Sequence, residues 1–193
     1  MIEDLAIACR QGQLTDISFH FASLIKRLDP LIDDSVVLAA ALTSSHSVSN
    51  QVCFDLSQFA GKSVFSGING KEIVAPQLSN WIRTLRESRL VATNNEYRPL
   101  VLERNNYLYL YRYLELEKRL AELLFQRINL PDFECDADKF GQVLTSIFPS
   151  WIMTEEQREF AQLVFRRPFV VVRGGPGAGK TTSMVRVLAI LLE

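Results

Sequence analysis

Residues 169 to 182 read Phe-Val-Val-Val-Arg-Gly-Gly-Pro-Gly-Ala-Gly-Lys-Thr-Thr, and no other segment says more about the fold. Within this segment, residues 174–181 match in full the phosphate-binding loop (P-loop, or Walker A) pattern G-x-x-x-x-G-K-[ST]. The apolar, β-branched run at 169–172 predicts a strand buried on both faces. Residues 181–192 are apolar almost all round and predict a buried helix. Strand, glycine loop and helix in this order are typical of a site for a nucleoside triphosphate with magnesium.

Each loop residue has a predicted role in binding that ligand. Glycines allow torsions that a Cβ would forbid, and the backbone N–H groups can then turn inward to bind an anion. The predicted loop residues are Gly174, Gly175, Pro176, Gly177, Ala178 and Gly179. Lys180 supplies a charge for the β- and γ-phosphates, and the Thr181 hydroxyl is the expected magnesium ligand, so both are predicted to be catalytic. Thr182 is a supporting donor on the α-phosphate side.

Composition describes a chain with an acidic first part. Its 193 residues, 48% of them hydrophobic, suffice for one ample core or two small ones. A net charge of −1 does not indicate a protein dominated by attraction to nucleic acid. Residues 151–193 hold six basic and four acidic side chains, against fifteen basic and eighteen acidic in the first 150 residues. An acidic N-terminal domain suits contact with a protein partner better than contact with a phosphate backbone.

The cysteines and the chain start predict a soluble, cytoplasmic protein. Cys9, Cys53 and Cys135 are widely spaced, which favours reduced thiols. His20 and His46 stand apart from one another and favour structural or exposed positions over metal binding. The start is acidic where a signal peptide would be basic, and no apolar run approaches the ~20 residues that span a bilayer.

The first third predicts three helices, at residues 5–9, 17–28 and 33–42. Asp33 and Asp34 are expected to cap the third helix. The stretch 31–34 also has a superficial likeness to the magnesium-side acidic motif of phosphate-loop enzymes. Capping is favoured, because that motif should follow the glycine loop rather than precede it.

The middle predicts a strand at 52–56, a loop at 61–70 and a short helix capped by Ser79. Residues 100–103 and 107–110 form a predicted hairpin with a polar turn, followed by a helix to about residue 127. Tyrosines alternate at 107, 109, 111 and 113. They could form a stacking platform for bases, but a half-buried strand running into a helix is favoured.

A break at 129–132 precedes a predicted helix at 136–148 and a last helix that opens at 154–157. We expect the domain boundary at 149–153. This divides the chain into an α+β N-terminal domain (1–150), mostly helical with a small β-hairpin or sheet, and a second part (151–193).

The wording of residues 174–182 resembles superfamily 1B helicases, and the chain resembles the N-terminal part of the RecD family, the alpha subunits of exodeoxyribonuclease V (the RecBCD enzyme). Gln157 lies seventeen residues before Gly174, where these helicases place a glutamine that reads adenine. Weaker likenesses lie at 37–42, 52–57, 80–81 and 105–109.

The resemblance implies a cofactor, partners and an activity. The cofactor is ATP with Mg²⁺, bound at 174–182 and contacted by Gln157, at the start of a RecA-like α/β motor domain. The implied activity is ATP-driven 5′-to-3′ unwinding of DNA within a repair and recombination complex, with nuclease chemistry in another subunit. RecB- and RecC-like subunits are the implied partners, and the N-terminal domain is the implied docking surface.

Two alternatives stay open at this point. Gln157 could instead close a capping box with Thr154, satisfying a backbone N–H at its own helix start. The whole piece could be a protein-docking module attached to another NTPase, such as a stand-alone RecD-like helicase or an ATPase that does not act on DNA. Because no second lobe or magnesium-side carboxylate follows the loop, we expect an N-terminal fragment that is itself inactive in hydrolysis.

Overall fold

The computed structural model describes residues 1–94, 96–104, 106–134, 141–143 and 155–191. The chain divides into two compact units, Met1–Arg119 and Leu120–Glu193. The domain boundary predicted at 149–153 lies outside the described residues and stays a prediction. The predicted helix at 136–148 lies outside them too, except that residues 141–143 are helical.

Three helices open the first unit, as the sequence predicts: α1 (Ile2–Arg10), α2 (Asp16–Leu28) and α3 (Asp34–Val48). The Asp33 carboxylate accepts a hydrogen bond from the Ser35 N–H at 2.7 Å, which confirms the capping interpretation. Residues 36–44 of α3 are all buried, because α2, the later helix α5 (Leu78–Glu87) and the main sheet pack around this helix.

The main sheet has four strands in the order β1, β6, β5, β4, which are Phe54–Asp55, Tyr107–Leu110, Leu100–Glu103 and Val91–Ala92. Strands β5 and β6 are antiparallel with Leu100 opposite Leu110, so the predicted hairpin is confirmed. Helix α6 (Tyr111–Ile128) follows β6 directly, which confirms the strand running into a helix. The predicted turn includes Asn105, which lies outside the described residues.

The predicted loop at 61–70 is wrong, because this segment contains most of a second, two-stranded sheet. Strands β2 (Ser63–Ile68) and β3 (Lys71–Val74) pair antiparallel, with Ile68 opposite Lys71. Asn69 and Gly70 join them with φ of 51° and 75°. Positive φ at both residues is the requirement of a tight hairpin turn, for which Asn-Gly is the preferred sequence.

Two short helices complete the first unit, α4 (Leu56–Phe59) and α5 (Leu78–Glu87). The predicted strand at 52–56 shrinks to β1, because Leu56 already begins α4. The Ser79 cap is wrong as well, since the N-cap is Gln77 and Ser79 lies inside the first turn. Trp81 of α5 is fully buried, and its indole N–H donates to the Ser35 carbonyl at 3.0 Å.

Aromatic side chains meet at the centre of the first unit around His46. Its ring lies 4.8 Å from Phe54 and 5.2 Å from Phe59, centroid to centroid. His46 Nδ1 is hydrogen-bonded to the Leu42 carbonyl oxygen at 3.0 Å. The prediction of a structural role is confirmed for this histidine.

The second unit contains α7 (Glu155–Arg166) and α8 (Lys180–Leu191). The strand predicted at 169–172 is wrong, since these residues form no strand and Val171 is 68% exposed. A strand needs a neighbour for its backbone groups, and no described segment of this unit pairs with 169–172.

Helix α8 is confirmed, but its predicted burial is wrong. Met184, Val185 and Leu188 are exposed, while Val187 is buried. The helix makes its contacts within this unit with α7, which covers one side only. In the described part of the chain, no helix combines the length and apolar character that crossing a bilayer requires.

Candidate functional site

The glycine loop leads directly into α8, whose first residue is Lys180. Gly177 and Gly179 have φ of 79° and 71°, a region that glycine enters without strain. A Cβ on Gly174 would lie 3.1 Å from the Ala178 Cβ, tighter than an ordinary contact. Glycine is therefore favoured at 177 and 179 by the positive φ, and at 174 by the lack of space for a side chain.

The Lys180 ammonium lies against the backbone of the loop. Its Nζ donates to the carbonyl oxygens of Gly174 at 2.6 Å and Gly175 at 2.7 Å. These are short, charge-assisted hydrogen bonds. A lysine charge and the positive end of the α8 dipole thus lie together where the loop meets the helix, an arrangement that suits an anion.

The hydroxyl side chains that follow the lysine differ in exposure. Thr181 and Thr182 are exposed, whereas Ser183 is buried. The Ser183 hydroxyl and its N–H both bond to the Gly179 carbonyl, at 3.1 and 2.9 Å. Ser183 fastens the first turn of α8 to the loop, a role that the sequence pattern did not indicate.

A cavity of about 470 Å³ lies between α7 and the glycine-loop segment, within the size range of small-molecule sites. Lys180 and Arg173 line it as cations, and Glu156 and Glu159 as carboxylates. Phe160 adds an apolar ring. The cavity thus combines apolar and charged surface, and its charge is mixed rather than uniformly positive.

Gln157 of α7 also lines this cavity. Its Oε1 accepts a hydrogen bond of 2.6 Å from an Arg186 guanidinium nitrogen of α8. Its Nε2 lies 4.0 Å from the position that a Cβ on Gly179 would take, so the carboxamide is turned toward the glycine loop. Thr154, the other half of the predicted capping box, lies outside the described residues. Contact with adenine stays a prediction.

Arg186 is a residue that the sequence reasoning missed. It lies 29 positions after Gln157, on a different helix, so no local spacing connects the two. Only the packing of α7 against α8 brings them together.

Cys53 and Tyr109 are neighbours in the first unit, and each influences the pKa of the other. Burial is the main cause that raises the pKa of both groups. Tyr109 also packs against the small buried cluster of Ala92, Val101 and Leu114. It is therefore partly enclosed within the first unit, as the half-buried strand predicts.

Free thiols agree with the sequence expectation at Cys9 and Cys53, while Cys135 lies outside the described residues. Among the residues that the structure describes, no group of three His, Cys, Asp or Glu side chains could hold a metal ion.

The Asp55 carboxylate has a structural role, because it accepts hydrogen bonds from several neighbouring groups. Its Oδ1 accepts from the Ser57 N–H at 3.0 Å, the Ser57 hydroxyl at 2.6 Å and the Asn106 amide at 3.0 Å. Burial raises the pKa of this carboxyl, but hydrogen bonds from Ser57, Asn106 and Gln58 outweigh burial and hold the pKa below its ordinary value. The carboxylate caps α4 and ties it to the β5–β6 turn.

The structure thus contains an α+β domain, followed by a segment that carries the glycine loop. The family model described as RecBCD enzyme subunit RecD, N-terminal domain, matches residues 10–109. The chain therefore belongs to the RecD family, which confirms the resemblance inferred from the sequence.

Curated relatives extend the similarity beyond that domain. RecBCD enzyme subunit RecD of Mycobacterium tuberculosis (strain H37Rv) is 30% identical over 193 residues, covering 96% of this chain. The subunit RecD of Mycolicibacterium smegmatis is 29% identical over 90% of this chain, and that of Buchnera aphidicola subsp. Schizaphis graminum is 24% identical over 93%. The chain spans about 30% of the length of these relatives.

Proposed function

We propose that the chain is the N-terminal part of an ATP-dependent 5′-to-3′ DNA helicase subunit of a recombinational repair helicase and nuclease complex. The observation that carries this proposal is the similarity to RecD subunits, which covers 96% of the chain in the mycobacterial relative. That relative is named as a subunit of the RecBCD enzyme. The free thiols at Cys9 and Cys53 agree with action in the reducing cytoplasm.

The glycine loop is the proposed site for ATP with Mg²⁺, and its residues fit that group. Positive φ at Gly177 and Gly179 gives the loop a turned backbone, and the Lys180 ammonium already lies against it. Thr181, exposed in the first turn of α8, is the proposed magnesium ligand. When bound, Mg²⁺ would neutralise phosphate charge, and hydrolysis of the nucleotide would supply the energy for unwinding.

Each of the chain's own groups then has a distinct task. Lys180 exchanges two carbonyl partners for phosphate oxygens, while the loop and the α8 N-terminus supply further positive potential. Ser183 holds the start of the helix to Gly179 and keeps the loop in register with Lys180. Gln157 and the apolar wall of the cavity are the proposed contacts for the base.

Nucleotide binding by the 193-residue chain tests this site. We expect Lys180→Ala to lower the affinity for fluorescent ADP by about tenfold or more, because a charge-assisted contact is worth roughly 1.5–3 kcal/mol. Lys71→Ala removes a lysine from an exposed position on β3 and is the matched control. Equal affinities of the parent, Lys180→Ala and Lys71→Ala would refute the site.

Activity is tested in the complete subunit. Stimulation of ATP hydrolysis by single-stranded DNA is expected for a DNA motor, and its loss on Lys180→Ala ties hydrolysis to this loop. ATP hydrolysis that ignores DNA would favour the alternative, an NTPase of another kind with an attached docking module.

We also propose that the first unit docks on a partner subunit of the RecB or RecC type. Two observations support docking: the acidic excess of the first 150 residues and an apolar stripe on α2. The stripe consists of Ile17, Leu24 and Leu28, which are 63%, 39% and 55% exposed. Such a row at helical spacing is suited to burial against another surface.

Co-purification with the partner subunits tests docking. The Leu24→Glu/Leu28→Glu double variant places charge in the stripe and should abolish co-purification while leaving the first unit folded. Leu120→Glu on α6, also at an exposed leucine, is the control for added charge. If the double variant co-purifies as well as the parent, the stripe is not part of the interface.

A further inference from the structure

Two cavities meet at the glycine loop, and they differ in charge. The cavity of about 470 Å³ described above has two carboxylates and two cations among its lining residues. A second cavity, of about 710 Å³, is lined by Val172, Arg173, Gly174, Gly175 and Lys180. Among these described lining residues only the arginine and the lysine carry charge, and both charges are positive. The second cavity therefore suits the anionic part of a ligand, whereas the first, with the Phe160 ring in its wall, suits an uncharged part.

Arg173 lines both cavities and is exposed, immediately before the first glycine of the loop. No hydrogen bond or ion pair joins its guanidinium to another residue in the described part of the chain. An arginine offers five N–H donors in a planar fork that matches two oxygens of one phosphate. Lys180, in contrast, is a point charge that already donates to the carbonyl oxygens of Gly174 and Gly175. Arg173 thus brings to the loop a second cation, with donors that a ligand can use.

The backbone beside Arg173 leaves space for a bulky anion. A Cβ on Gly175 would meet nothing within 4 Å, so the loop is open there. A Cβ on Gly174 would instead lie 3.6 Å from the Lys180 side chain, which runs along the loop at this point. An exposed arginine, a lysine and an open stretch of backbone therefore line one cavity.

We infer that Arg173 is a second phosphate-binding residue of this site, contacting the phosphate chain of the bound nucleotide together with Lys180. This inference rests on the proposed function, because it concerns the same ligand at the same loop. It assigns Arg173 to the phosphates and not to the base. The attraction of a cation rises with the charge brought near it, so the contact gains strength with each added phosphate. A phosphate chain without a base should depend on Arg173 as strongly as ATP does.

Three substitutions on the 193-residue chain test this assignment. Arg173→Gln removes the charge and keeps a polar side chain, while Arg173→Lys keeps the charge and loses the fork. Arg166→Gln is the matched control, because Arg166 is also exposed and lines neither cavity. Each variant is titrated with fluorescent ADP, and ATP, AMP and inorganic tripolyphosphate then compete for the site. EDTA keeps magnesium from masking the phosphate charge.

We expect Arg173→Gln to weaken the binding of ATP and of tripolyphosphate by about tenfold, the range of a charge-assisted contact, and that of AMP by less than about threefold. Arg173→Lys should recover part of the loss, and Arg166→Gln should stay within about twofold of the parent. Equal losses in Arg173→Gln and Arg166→Gln, or equal losses for AMP and ATP, would overturn the inference.

Failure of the proposed function has a different signature. If ATP binds no better to the parent than to Lys180→Ala, the loop is not the nucleotide site. If Lys180→Ala weakens ATP binding while Arg173→Gln matches Arg166→Gln, the site stands and only the role of Arg173 is wrong. Circular dichroism checks the helices of each variant, and Arg173→Ala takes the place of Arg173→Gln if the latter fails to fold.

Discussion

The first compact unit contains an extensive core of buried apolar side chains, whereas the second leaves most of its described apolar side chains in contact with solvent. In Met1–Arg119, whole stretches such as 36–44 are buried, and helices, hairpin and sheet cover each other. In the described part of Leu120–Glu193, the buried side chains are Ala161, Ser183 and Val187. Both units contain valine- and leucine-rich segments, so apolar composition alone does not produce a core.

The difference shows that the neighbours against which a segment packs, and not its hydropathy alone, decide whether its side chains are buried. Helix α3 lies among α2, α5 and the sheet, while within its unit α8 packs against α7. The first unit therefore derives its stability from packing. The second unit instead places charge and turned backbone at the surface, where a ligand can reach them.

The largest expected effect comes from deleting the same side chain in each unit. Leu85 is fully buried in the first unit, and Leu188 is 53% exposed in the second. We expect Leu85→Ala to lower the free energy of unfolding by about 2–5 kcal/mol through lost burial and a cavity. Leu188→Ala should change it by less than about 0.5 kcal/mol.

Urea denaturation followed by Trp81 fluorescence measures that effect, in a Trp151→Phe background so that a single indole reports. Similar losses of stability in both leucine variants would show that the exposed face of α8 is packed in solution and would end the contrast between the units.

An intermediate effect is expected from glycines of equal conformation. Gly70 and Gly177 have φ of 75° and 79°, and a Cβ on either would meet nothing within 4 Å. Gly70→Ala should destabilise the first unit by about 1–2 kcal/mol, the strain of a left-handed alanine. Gly177→Ala carries the same strain in a loop outside that unit, so the Trp81 transition should not move. A shift of the Trp81 transition in both variants would mean that the units unfold together.

The smallest effect concerns Asp55, and it depends on pH. The folded state holds the pKa of this carboxyl below its ordinary value, so its contribution to stability is present above the unfolded pKa of about 4 and is lost as pH falls through the folded pKa. Asp55→Ala should cost about 1 kcal/mol at pH 7, in the range of a lost helix cap, and less as the pH drops below about 4. Unfolding free energies from pH 7 to 3 measure the difference, with exposed Glu72→Ala as control. A cost that is constant with pH would contradict the assignment.

Much of the first unit could be predicted from local pattern, because its signals are local. Asp33 is a typical N-cap residue and marks the start of α3. Residues 100–110 contain two apolar runs separated by polar residues, which is the pattern of a hairpin. The β2–β3 hairpin was missed although Asn69-Gly70 encodes its turn, because the surrounding glycine and serine residues hid the alternation.

Predictions that depended on distant partners fared worse. The run at 169–172 has the composition of a buried strand, but composition cannot supply a neighbouring strand. Helix α8 was predicted correctly from its residues, but the sequence did not indicate which side of the helix packs against α7. In the candidate site, the loop residues follow from a pattern of eight positions, whereas the bond between Gln157 and Arg186 depends on how two helices pack and has no counterpart in the sequence.

The backbone carbonyl groups of the loop compete with any bound anion for the Lys180 ammonium group, because two of them already accept hydrogen bonds from it. An anion that takes over both of these N–H donors would have to displace peptide oxygens at 2.6 and 2.7 Å. We expect a di- or triphosphate to gain more from that exchange than chloride or a single carboxylate, because it brings more charge and adds contacts to the helix start. The proposed site would therefore favour highly charged anions over small ones.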